Sequence, residues 1–136
     1  MPVQVARFGD VEMFVVKHLQ AALVGTAASG FKVDNKVPNP RPARLVQVRR
    51  DGGLQSSPRQ ESARMGVNVW APSDQEANDT ASLVRALLAQ AAGTTRVGVF
   101  VKRVTTSGPS PVPEDATDTF HKYFTAELLA LGSALT

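Results

Sequence analysis

Few residues in this chain are equipped for chemistry, and those that are stand apart. It holds two histidines, His18 and His121, and no cysteine. The histidines fall in different predicted elements and share neither an i,i+4 nor an HxH spacing. No metal pair and no nucleophile–base couple can be read from them, and each reads as a surface or half-buried residue. Without cysteine there is no disulfide framework and no thiolate metal site. The serines follow no Gly-x-Ser-x-Gly nucleophile elbow. The stretch from Gly25 to Gly30 has the glycine spacing of a phosphate loop. However, Phe31-Lys32 follows where Lys-Ser/Thr is needed, and the stretch leaves a helix instead of joining a strand to a helix N-terminus. No enzyme activity, cofactor or metal is expected.

The charged residues point to partners instead. Glu114, Asp115 and Asp118 form the only acidic cluster. Paired carboxylates can do acid/base work or hold a hard cation, but these lie in a proline-rich segment without the regular ligand spacing of a calcium loop. A solvated or partner-contacting loop is the better reading. Fifteen Lys+Arg against twelve Asp+Glu give a formal charge of +3. The densest basic run is Arg41, Arg44, Arg49 and Arg50, with Arg59 and Arg64 following. A nucleic-acid reader usually concentrates such charge in one stripe with interleaved aromatics, so these arginines read as a solvated face or as protein–protein salt bridges. The alternative from another class is a small basic nucleic-acid-binding domain, which predicts salt-dependent affinity centred on Arg41, Arg44, Arg49, Arg50 and Arg59. Trp70, the only tryptophan, reads equally as an interface anchor or as a satellite core residue under a helix.

The elements that position these residues follow from periodicity. Residues 1–9 carry no strong period and read as an N-terminal arm. Asp10 is an N-cap, after which Val11, Phe14, Val15, His18, Leu19 and Ala22 recur at helical spacing. Gly25 marks the helix end. A short strand over 31–34 runs into Lys36-Val37-Pro38-Asn39-Pro40-Arg41-Pro42, whose prolines forbid helix and any central strand position. A strand over 43–50 puts Val46 and Val48 on one face, with Leu45, Gln47 and Arg49 on the other. A polar loop is expected over 51–61. The next strand alternates strictly: Ala63, Met65, Val67 and Val69 face one way, Ser62, Arg64, Gly66 and Asn68 the other. Ser73-Asp74-Gln75-Glu76 is a capping box that opens a helix closed by Gly93. A strand over 96–106 aligns Val97, Val99 and Val101. A long loop over 107–118 precedes a last strand from Thr119 to about Leu131, with Phe120, Phe124, Ala126 and Leu128 on one side.

This order predicts a single α+β domain over 1–136, a mostly antiparallel (mixed) sheet with two main helices packed on one face. No apolar stretch approaches the roughly 18 residues needed to cross a bilayer, and Met1-Pro2-Val3-Gln4 lacks the start of a signal peptide. A soluble protein is therefore expected, with no membrane partner. Loops as long as 51–61 and 107–118 are usually functional or disordered, and open sheet edges invite pairing with another chain. Both suggest a surface that neighbours complete.

The proline connector 36–42, the strand Val46–Arg50 running into Asp51-Gly52-Gly53, and Val67–Ala71 followed by a capped helix come in a particular order. With the Gly108–Asp115 loop and the closing Tyr123–Leu128 strand, this order resembles the tail terminator proteins of bacteriophages with long, non-contractile tails. The resemblance covers nearly the whole chain from Asp10 to about Leu131. It implies a structural α+β subunit, made in the host cytoplasm, that forms a homo-oligomer, a hexameric ring, at the tail–head junction of the virion. Such a ring ends polymerisation of the tail tube protein and presents a surface to a head-side connector or neck protein. DNA would pass through its lumen without specific binding. A different head–tail joining subunit is the nearest alternative. On this reading Arg41, Arg44, Arg49, Arg50, Arg59, Arg64, Trp70, Glu114 and Asp115 are the expected subunit or partner contacts. Exchanging Arg49 and Arg50 together for glutamate is expected to weaken assembly while leaving the monomer folded. Leu128-Leu129-Ala130-Leu131 departs from the pattern by being unusually apolar, which suggests packing on a neighbour.

Overall fold

A computed structural model describes residues 5–135. Helix α1 spans Val11–Ala22; the Asp10 carboxylate accepts the Met13 N–H at 2.9 Å, as an N-cap should. Helix α2 spans Asp74–Ala89, with the Ser73 hydroxyl accepting from the Glu76 N–H at 3.2 Å. The other half of the expected capping box is redirected, since the Glu76 carboxylate binds Arg44.

The main sheet is mixed, in the order β2-β3-β4-β8-β6-β5. Its strands are β2 (Lys32–Asp34), β3 (Leu45–Ser57), β4 (Gln60–Ala71), β5 (Thr94–Arg96), β6 (Val99–Thr106) and β8 (Phe120–Leu131). The short strand β7 (Ser110–Val112) pairs β8 over His121–Tyr123, on the edge that β6 occupies further along. Only β2 runs parallel to its neighbour; the remaining pairs are antiparallel. A second ribbon pairs β1 (Val5–Arg7) with β9 (Ser133–Leu135). Part of the expected 1–9 arm is therefore strand, while its residues 1–4 lie outside the described range.

Both helices pack on one face, as the pattern predicted. Ala63, Met65, Val67 and Val69 of β4 and Val46 and Val48 of β3 are fully buried there. Phe14, Val15 and Leu19 of α1 and Ala77, Ala81, Val84 and Leu88 of α2 join them in one continuous core. Truncating Phe14 or Phe124 to alanine would cost about 3–5 kcal/mol. His18 ties the helices together: it stacks on Phe14, and its Nε2 lies 2.8 Å from the Leu87 carbonyl. That carbonyl is one of the last four of α2, which have no partner within the helix.

Four expectations are corrected. The 51–61 segment is a β-ribbon, not a loop: β3 continues to Ser57 and turns at Pro58-Arg59 into β4, with Ser57 opposite Gln60. A bulge between Arg50 and Gly52 lets the strand bend and carry on. The 107–118 segment contains β7 and lies along the sheet for part of its length. Val97 does not share a face with Val99. It sits at φ +47° in a two-residue turn with Gly98 at φ +75°, and is half exposed. Finally, Leu128 and Ala130 are buried in the chain's own core, so of the apolar end of β8 only Leu129 and Leu131, both half-buried, are left to meet a neighbour.

Candidate partner interface

The sheet face away from the helices is where most expected contact residues meet. Strict alternation places Leu45, Gln47 and Arg49 of β3 opposite Trp70, Asn68 and Gly66 of β4. The same register sets Trp70 against His121, Asn68 against Tyr123 and Arg64 against Glu127 on β8. No helix covers this face among the described residues.

At one end lies a polar cluster built on Trp70. The indole stacks on the His121 ring with centroids 4.3 Å apart, and Arg41 from the proline connector sits over it at 5.4 Å. The indole Nε1 donates to Glu114 Oε1 at 3.0 Å, and the same oxygen lies 2.9 Å from His121 Nδ1. Trp70 is thus buried, at 8% exposure, but not under a helix. The connector and the segment after β7 cover it. An indole N–H needs a partner once buried, and Glu114 supplies one. Burial in this stack lowers the His121 pKa from its ordinary value, against a weaker upward pull from Glu114 and with a small further push down from Arg41.

Midway along the face, Asp51 joins three strands. Its Oδ1 accepts from Arg64 Nε at 2.8 Å and its Oδ2 from the Tyr123 hydroxyl at 3.2 Å. Gly66 lies beneath them: a Cβ there would sit 3.0 Å from the Tyr123 hydroxyl and 3.1 Å from Asp51 Oδ2. Its hydrogen bond and the Asp51 charge raise the Arg64 pKa, and burial followed by Asp51 raises that of Tyr123.

The arginines do not form one patch. Arg44 binds Glu76 at the start of α2, which raises its pKa through a hydrogen bond and charge. Arg50 pairs with Glu61, and Arg64 with Asp51. Arg59 stands at the turn of the ribbon, its guanidinium 3.5 Å from the Gly132 carbonyl. Arg49 is exposed and, like Asp115, forms no ion pair among the described residues. Charges already neutralised by carboxylates offer little to phosphates.

Among the described residues, the outer edge of β3 has no strand partner beyond Gln47, where β2 ends. Glu12 of α1 accepts the Arg50 N–H there at 2.9 Å, and residues 51–56 are exposed. No group of three or more His, Asp or Glu side chains is placed to hold a metal among the described residues. No helix is long and apolar enough to cross a membrane. Sequence reasoning missed His121 as a member of the cluster. The signal was present, since alternation from Phe124 back along β8 puts His121 on the same face as Trp70.

No protein-family model matches the chain, and no curated protein does. Among solved structures it is similar in fold to a chain described as "Virion of native gene transfer agent (GTA) particle". That alignment has a TM-score of 0.63 at 19% identity and covers 87% of this chain and 92% of the other.

Proposed function

We propose that this chain is a structural subunit of a phage-like virion, a tail terminator that caps the tail tube as a ring. The observation that carries the reading is the fold likeness to a chain of a gene transfer agent virion over nearly the full length of both chains. The order of motifs described above supports the same particle class. The surface fits a subunit completed by neighbours: among the described residues no helix covers the outer sheet face, and the outer edge of β3 has no strand partner beyond Gln47.

The mechanism is assembly. A patch on one subunit meets a different patch on the next, and such heterologous contacts generate a ring when the rotation closes. One ring face matches the end of the tube; the other accepts no more tube protein and receives the head-side connector. DNA passes through the lumen without sequence reading, which agrees with Arg44, Arg50 and Arg64 being engaged by carboxylates. No bond is made or broken.

Class averages of the purified chain mixed with tail tubes test this reading. Closed rings seated on one tube end are expected. A chain that stays monomeric, alone and with tubes, contradicts it. Rings that bind the head-side connector and ignore tube ends would make the chain another neck subunit.

A further inference from the structure

A chain of hydrogen bonds crosses the outer sheet face, and its direction is fixed from one end. The Asn35 carbonyl can only accept, so Gln47 presents Nε2 to it at 3.4 Å and leaves Oε1 to accept from Asn68 Nδ2 at 3.1 Å. Asn68 Oδ1 then faces His121 Nε2 at 2.7 Å, while His121 Nδ1 faces the Glu114 carboxylate at 2.9 Å. Both ring nitrogens therefore point at acceptors. Only the imidazolium, with two N–H groups, satisfies both.

A neutral ring reverses the chain. Nδ1–H still donates to Glu114, but Nε2 becomes an acceptor. Asn68 must then turn its amide to donate to His121, and Gln47 must turn to donate Nε2 to Asn68 Oδ1. Each amide exchanges the places of its O and N, and the rest of the side chain stays where it is. What is lost is the bond to Asn35, because Gln47 Oε1 now faces the carbonyl.

We propose that His121 is a proton-operated switch that reverses the Asn68–Gln47 amide chain, making the Gln47–Asn35 hydrogen bond when charged and breaking it when neutral. Asn35 stands between β2 and the connector that carries Arg41 over Trp70. The charged groups around the ring are few. Glu114 favours the imidazolium, and Arg41 opposes it. Lys122 and Asp74 pair with each other at 3.0 Å at the start of α2. Asp51 and Arg64 neutralise each other further along the face. Burial prevails over Glu114, so the switch operates on the acid side of the usual imidazole range. It concerns the folded chain itself and does not rest on the virion reading.

A titration of the full ¹⁵N-labelled chain by NMR, from about pH 4.5 to 8 across the histidine range, tests it. The ring nitrogens of His121 report its midpoint. The side-chain amide signals of Gln47 and Asn68 are expected to shift with that same midpoint. Asn68→Asp places a fixed acceptor at Nε2 and should raise the midpoint by about one pH unit or more. Flat Gln47 and Asn68 signals through the His121 titration overturn the proposal, as does a midpoint that N68D leaves unchanged. Should N68D fail to fold, the wild-type titration decides alone.

Discussion

Arg50 grips Glu61 with both arms of its guanidinium, Nη1 on Oε1 at 2.9 Å and Nη2 on Oε2 at 3.2 Å, across the base of the β3–β4 ribbon. Its Nε also donates to the Gly52 carbonyl within the bulge at 3.2 Å. The Glu61 side chain is only 10% exposed, against 35% for Arg50, so the pair is a structural clamp and not a free binding surface. Replacing Glu61 with alanine strands a partly buried guanidinium and should destabilise the chain by about 1.5–3 kcal/mol, read as a lower urea midpoint.

That clamp revises the charge-reversal experiment suggested by the sequence. Arg50→Glu would set two carboxylates against each other and unsettle the fold, which confounds any effect on assembly. Arg49 and Arg59 are the better pair. Arg49→Glu with Arg59→Glu should change stability by no more than about 0.5 kcal/mol, as exposed substitutions usually do, while weakening self-association in sedimentation velocity. Unchanged association would remove both from the interface.

Gly53 is held in place by backbone. It has φ +130°, and a Cβ there would lie 2.9 Å from Ala63 Cα and closer still to the Ser62 carbonyl. Neither contact can retreat like a side chain. Gly53→Ala should cost about 1–3 kcal/mol, measured by chemical denaturation. Gly93, with nothing within 4 Å of an added Cβ, should lose less on the same exchange.

Val97 carries the opposite prediction. A β-branched side chain at positive φ is strained, and the two-residue turn between β5 and β6 favours Asn-Gly over Val-Gly. Val97→Asn should stabilise the chain by about 1 kcal/mol, seen as a higher thermal midpoint.

Tyr123 links stability to alkaline pH. Burial first, then the charge of Asp51, raises its pKa above the ordinary 10.0. A group raised on folding adds stability that is present below its unfolded value and lost as pH rises through the folded one. Tyr123→Phe should remove that loss above about pH 10, so the denaturation midpoints of the two proteins converge as pH increases.

Where one side of an element is buried, the sequence announced it. The alternation from Ala63 to Val69 and the Ser73 cap before α2 each set a period against a solvent face, and both reappear in the structure. The ribbon was illegible for the same reason. The β3 residues 51–56 are exposed, so Gly52-Gly53-Leu54-Gln55-Ser56 has no buried side to write a period and reads as a loop. Val97 extended a valine alternation through a turn that lacks the usual Asn-Gly signal. The Trp70 cluster was half legible: alternation fixes the face of each residue, but only strand register brings residues 41, 70, 114 and 121 together. The arginines misled by proximity in sequence, since their carboxylate partners Glu76, Glu61 and Asp51 lie on other elements or across a bulge.

The most direct test of the capping role is the length of tails assembled with and without this chain, measured by negative-stain electron microscopy. Overlong, headless tubes are expected in its absence, and one fixed tail length once purified protein is present during assembly. Tails of normal length in its absence would contradict it.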